Sequence, residues 1–146
     1  MTIDPLSGIS HLDETTCWEL LASREVGRLA LSIAGEPDIF PVNYVLDGAS
    51  LVFRTAEGTN LAATIMHPSV AFETDGYDAE AGVAWSVVVR GQAREISMHE
   101  LVDESAFLLF PWNASPKNRF VRIIAREVTG RRFTVAGRAV APTELI

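Results

Sequence analysis

The residues best suited to chemistry sit close together in the segment FRTAEGTNL, Phe53 to Leu61. Arg54 and Thr55 end an apolar run, Ala56 follows, and Gly58 lets the backbone turn into Thr59, Asn60 and Leu61. A guanidinium, two hydroxyls and the free N–H groups of a starting helix can converge there on one phosphate. Just upstream, Asn43 interrupts an otherwise apolar stretch between Val42 and Tyr44. Other chemistries lack their residues. The histidines His11, His67 and His99 are scattered, and there is no HxxxH, CxxC or paired-carboxylate loop for a metal. Neither GxGxxG nor GxxxxGK[ST] occurs, which argues against a Rossmann site and a P-loop. No local motif supports a Ser–His–Asp arrangement. Two basic clusters, Lys117/Arg119/Arg122 and Arg131-Arg132, read as solvated faces.

The elements around these residues belong to one domain of 146 residues, with 1–9 and 139–146 as loosely ordered ends. Apolar residues make up 48% of the chain, enough for a full core, and the net charge is −7. That charge argues against nucleic acid and anionic membranes as partners, so an anion site must be a local basic pocket. A lone Cys17 fits a reducing compartment, and no apolar run reaches the length of a membrane span. The expectation is a cytoplasmic protein.

Alternation and turn residues give the order of elements. Ser10-His11-Leu12-Asp13 resembles a capping box, so a helix is expected from there to about Val26-Gly27. Leu29, Leu31 and Ile33 alternate with polar neighbours in a strand over 28–33, and Ala34–Pro37 is a turn. Strands at 40–46 and 51–55 flank Asp47-Gly48, a type I′ hairpin signal. A short helix is expected at 59–66, a strand at 70–75 and an exposed loop at 76–82. A strand at 84–90 continues past a bulge at Gly91 to 96. Ser97–Glu100 starts another helix, closed by Pro111, and a proline-rich loop follows. Two last segments, 120–125 and 127–135, are strands with a kink near Thr129-Gly130. Six or seven strands joined by short turns make a mainly antiparallel sheet, and such a sheet closes into a barrel to remove its edges.

In order and spacing, several pieces are similar to the flavin-binding split-barrel proteins related to pyridoxamine 5′-phosphate oxidase. They are ELLASREVGRLALSI, PVNYVLDGASLVFRTAEGTNL, VAFETD, WSVVVRGQAREI and PWNASPKNRFVRIIAREVTGRRF. The resemblance implies a mainly β fold, a six-stranded antiparallel split barrel of Greek-key type, working as a homodimer. Flavin mononucleotide (FMN) would lie between the subunits. It would place Arg54, Thr55, Ala56, Gly58, Thr59, Asn60 and Leu61 at the phosphate, and Pro41, Val42, Asn43 and Tyr44 along the isoalloxazine. Trp85, Ser86 and Val87 would add contacts, and Trp112 and Lys117 would close over the cleft from the partner.

Relatives often carry lysine at Asn60, so this chain has one charge-assisted contact fewer, worth about 1.5–3 kcal/mol. The end VAPTELI lacks the basic, histidine-containing segment of the true oxidases, which points to another small organic substrate. No catalytic residue is assigned, because a flavin carries its own electrons. Two other occupants of the same fold are deazaflavin F420, with Lys117, Arg119 and Arg122 as a groove for its tail, and haem, with His67 or His99 as axial ligand. A protein that carries a cofactor without catalysis is the alternative to an enzyme.

Overall fold

A computed structural model describes residues 2–3, 8–55, 69–100 and 119–135. Eight strands form one antiparallel sheet: β1 (Thr2–Ile3), β2 (Ile9–Leu12), β3 (Val26–Ile33), β4 (Glu36–Leu46), β5 (Ser50–Thr55), β6 (Ser69–Asp78), β7 (Val83–Ile96) and β8 (Arg119–Thr134). Their order is β1-β2-β8-β5-β4-β3-β6-β7, and β7 also pairs with β8. Six of them, β3 to β8, thus close a ring, and β1-β2 hang from its edge. Strands β3, β4 and β5 are consecutive hairpin neighbours, and β6 returns beside β3, which is the Greek-key order. Strand β8 splits its free side between two partners: residues 119–124 pair with β5 and 130–133 with β2.

Alternation decides which side chains fill the barrel. Leu29, Leu31, Tyr44, Leu51, Phe53, Phe72, Val87, Val89, Val121 and Ile123 are buried inside it. Helix α1 (Glu14–Ala22) plugs one end with Cys17 and Leu21. Gly130 makes room for that plug, because a Cβ there would press on the Cys17 sulfur and on Leu12. Burial, with Asp13 and Glu14 nearby, pushes the Cys17 thiol up. A second, smaller cluster of Val52, Ile96 and Phe120, with Val45 against it, lies on the opposite faces of the same strands.

The structure corrects several boundaries. Ser10 belongs to β2, not to a helix start: Ser10, His11 and Leu12 pair with Arg132, Arg131 and Gly130. Asp13 is the cap, its carboxylate accepting from the Thr16 N–H at 2.8 Å, and that bond holds the carboxyl below its ordinary pKa. Part of the supposed loose lead-in, Thr2–Ile3, is paired with β2. The I′ signature falls on Ala34-Gly35, where both residues have positive φ (51° and 83°). At the β4–β5 turn only Gly48 does, so its central pair is Gly48-Ala49. Residues 76–78 extend β6 rather than opening a loop.

The bulge appears as expected between Arg90 and Gly91, with Arg126 as the extra residue on β8. Gly91 is forced by contact, since a Cβ would run into the Ile124 carbonyl. The segments 120–125 and 127–135 are one continuous strand through Thr129-Gly130. A 3₁₀ turn at Met98–Glu100 follows β7, and the Ser97 N–H donates to the Glu100 carboxylate at 2.8 Å, which lowers that carboxyl's pKa. The helices expected at 59–66 and 101–110 lie outside the described residues. Among the described residues no helix is long and apolar enough to cross a membrane.

Candidate functional site

The two faces of the barrel wall sort the expected site residues. On β4, Val42 and Tyr44 point inward with Phe40 and Leu46, so Pro41, Asn43 and Val45 point outward. On β5, Phe53 and Thr55 take the inner face, and Val52 and Arg54 the outer. The register pairs Tyr44 with Phe53, so the next position along sets Asn43 beside Arg54 on the exterior. The Arg54 guanidinium lies 5.5 Å from the centre of the Phe120 ring, its cross-strand neighbour on β8.

From Asn43 the exterior strip of β4 continues through Pro41 to Ile39, about 14 Å away at strand spacing. Ile39 is 64% exposed. It walls a cavity of about 240 Å³ whose other lining is Arg28, Ala30, Ala71, Phe72 and Glu73. The floor is low because β3 and β6 present alanines there, Ala30 opposite Ala71. One rim is polar. Arg28, the partner of Pro41 across β3–β4, donates to Glu73, and its Nη2 lies 3.1 Å from Asp75. The bond to Glu73 pushes the Arg28 pKa up. Burial, and Asp75 alongside, push the Glu73 carboxyl up by more than Arg28 draws it down. The strip therefore has a cation and an amide at one end, and an apolar slot with a charged edge at the other.

Tyr44 serves the core. Its ring packs edge-on against Phe72 at 4.7 Å, its hydroxyl donates to the Leu21 carbonyl, and burial pushes its pKa up to about 12. Val87 is fully buried inside the barrel. Ser86 faces outward between Asp75 and Arg131, four strands round the wall from Arg54 through β4, β3 and β6, or about 19 Å. Trp85, next to Ser86, turns to the inner face and packs against the core. One chain thus joins Arg54, Asn43 and Pro41 in one strip and leaves Ser86 and Trp85 elsewhere. Ala56, Gly58, Thr59, Asn60, Leu61, Trp112 and Lys117 lie outside the described residues.

The supposed basic groove is not assembled at its two described members. Arg119 is held by Glu95 at 2.7 Å, and Arg122 is buried against Asp47 at 2.8 Å. Arg28, Ile39, Ala71 and Glu73 were not singled out in the sequence. The β3–β4 and β3–β6 pairings together bring them to one place.

The family profile for pyridoxamine 5′-phosphate oxidase matches residues 13–132. The chain belongs to that family. An uncharacterized protein of Mycobacterium tuberculosis is 32% identical over 135 residues, 89% of this chain and 89% of its own length. Two solved relatives match across the barrel. A flavin adenine dinucleotide (FAD) binding protein from Mycobacterium smegmatis is 35% identical, with a TM-score of 0.67 over 86% of this chain and 98% of that one. An FAD-binding protein from Mesorhizobium loti is 27% identical, with a TM-score of 0.74 over 85% and 96%. As a member of the pyridoxamine 5′-phosphate oxidase family the chain has the expected split barrel, and its Arg54–Asn43–Pro41–Ile39 strip suits a molecule with an anionic end and a flat ring.

Proposed function

We propose that this chain binds a flavin along the exterior strip of β4 and works as a redox enzyme on a small organic substrate. The observation that carries the reading is that Arg54 and Asn43 emerge side by side on the outer wall, with an apolar slot about 14 Å further along. Arg54, stacked on Phe120, would neutralise the flavin phosphate. Asn43 would hydrogen-bond the ring edge, and Pro41 and Ile39 would support the ring. When bound, the flavin supplies the electron or hydride transfer. Among the described residues the strip has only one wall, since Ile39 is mostly exposed. A second copy would provide the other, and Ser86, Trp112 or Lys117 could reach the ring from there. The lone Cys17 suits a cytoplasmic setting.

FMN and FAD share the phosphate and ring that this strip suits, and the two solved relatives are named for FAD. The engaged Arg119 and Arg122 disfavour the longer anionic tail of F420. Fluorescence titration with FMN and with FAD tests the reading. Wild-type protein should quench at least one of them saturably. Arg54→Gln should weaken that flavin by about 10- to 100-fold, the worth of one charge-assisted contact. If the wild type quenches neither, flavin binding is wrong. A mass near 16 kDa by light scattering, one chain of 15.9 kDa, would remove the second wall.

A further inference from the structure

Arg132, one of the two adjacent arginines near the end of β8, has no part in the flavin strip, yet its surroundings are unusual. Its Nε is buried and makes no hydrogen bond. Across the β7–β8 ladder it faces Trp85, whose other neighbour, on β6, is Gly76. The Arg24 guanidinium, just past the end of α1, stacks 5.4 Å from the centre of the Trp85 ring. A Cβ at Gly76 would collide with both Arg24 Nη2 and Trp85 Nε1, so guanidinium and indole N–H crowd the same point. Arginine and the indole nitrogen donate and never accept. Among the described residues Arg28, Arg94, Arg119 and Arg122 are matched with carboxylates, whereas Arg24 and Arg132 are not. No described acceptor takes the Trp85 N–H either.

We infer that Arg24, Trp85 and Arg132 form a binding site for an oxyanion, a carboxylate or phosphate group of a small molecule, four strands round the barrel wall from Arg54. Three donor groups gather round one indole with no acceptor of their own. A buried donor without an acceptor is rare enough to mark a missing partner, and guanidinium forks favour carboxylate and phosphate oxygens. On a chain of net charge −7 two unmatched guanidiniums also make a local attractor for an anion. The site lies four strands round the wall from Arg54, about 19 Å, so a variant at Arg54 separates its response from that of the flavin seat.

The test uses the full chain carrying Arg54→Gln, so that phosphate cannot report on the proposed flavin seat. Inorganic phosphate and acetate are titrated separately at constant ionic strength, by calorimetry and by the indole N–H resonance that Trp85→Phe removes. One or both anions should bind saturably and shift that resonance. Adding Arg132→Gln or Arg24→Gln should weaken binding by about tenfold, and Arg132→Lys should restore part of it. Tighter phosphate than acetate identifies a phosphate ligand, and the reverse a carboxylate. The inference is overturned if neither anion shifts the Trp85 resonance, or if both glutamine variants bind like their parent. FMN or FAD quenching by Arg132→Gln, in a chain with native Arg54, should match the wild type. Loss of quenching in the wild type itself would count against the flavin reading alone.

Discussion

Replacing Arg122 by methionine tests how the exterior strip is held in place. Arg122 is 8% exposed and Asp47 1%. Its Nη2 donates to Asp47 Oδ2 at 2.8 Å and to the Glu100 carbonyl at 2.9 Å, and its Nη1 donates to the Ser50 hydroxyl. One side chain thereby fastens the β4–β5 turn to β8 and to the 3₁₀ turn. Methionine keeps a similar apolar stem but strips the buried Asp47 carboxylate of its cation. Breaking a buried pair on one side costs about 3–5 kcal/mol. At this chain length each kcal/mol moves Tm by about 2–4 °C, so Arg122→Met should melt roughly 10–15 °C lower. Urea unfolding should show a lower midpoint at unchanged slope. Adding Asp47→Leu should recover most of the loss, because an apolar pair of similar volume is often as stable as the ion pair it replaces. If Arg122→Met melts within about 2 °C of the wild type, the pair does not hold the turn and the reasoning is wrong.

Three further outcomes follow from named contacts. Tyr44→Phe deprives the Leu21 carbonyl of a buried donor and should cost about 1–2 kcal/mol in urea. It should leave flavin quenching unchanged, whereas Asn43→Ala should weaken quenching with little loss of stability. Gly91→Ala would push a methyl into the Ile124 carbonyl across the bulge and should destabilise by about 1–3 kcal/mol, seen as a lower urea midpoint. Asp13→Ala removes the α1 cap, whose carboxyl pKa is lowered by the Thr16 N–H. A depressed folded pKa contributes stability above the ordinary carboxyl pKa and loses it as pH falls through the folded value. The variant should therefore melt below the wild type at neutral pH, and the two curves should draw together toward the acid end. A gap that stays constant with pH would remove the capping explanation.

What the sequence made legible was what alternation alone can fix. Leu29 and Leu31 had to share a face with each other and not with Arg28, and Gly91 stood out as a lone glycine in a β-branched run. The side on which Arg54 emerges follows in the same way once Phe53 is known to be core. Features set by distant pairing were not legible. Ser10 and Asp13 both look like caps, and only the ladder from Ser10 to Arg132 decides between them. Ala34-Gly35 and Asp47-Gly48 both offer a glycine, and the strand pairings on either side decide which turn takes two positive φ values.

The slot is the strongest case of this. Ala30 and Ala71 are unremarkable in their own strands, and Glu73 is one acid among many on an acidic chain. They become a low floor with a charged rim because β6, which follows β4 and β5 in the chain, crosses back to pair with β3. A one-residue slip of that pairing would turn Ala71 and Glu73 inward and Phe72 outward, filling the slot and emptying the core together. The packing of Phe72 against Tyr44 inside the barrel therefore fixes the slot outside it. Stability of the core and shape of the exterior site are set by the same register, so substitutions that loosen Phe72 should widen or close the slot even though they never touch a ligand.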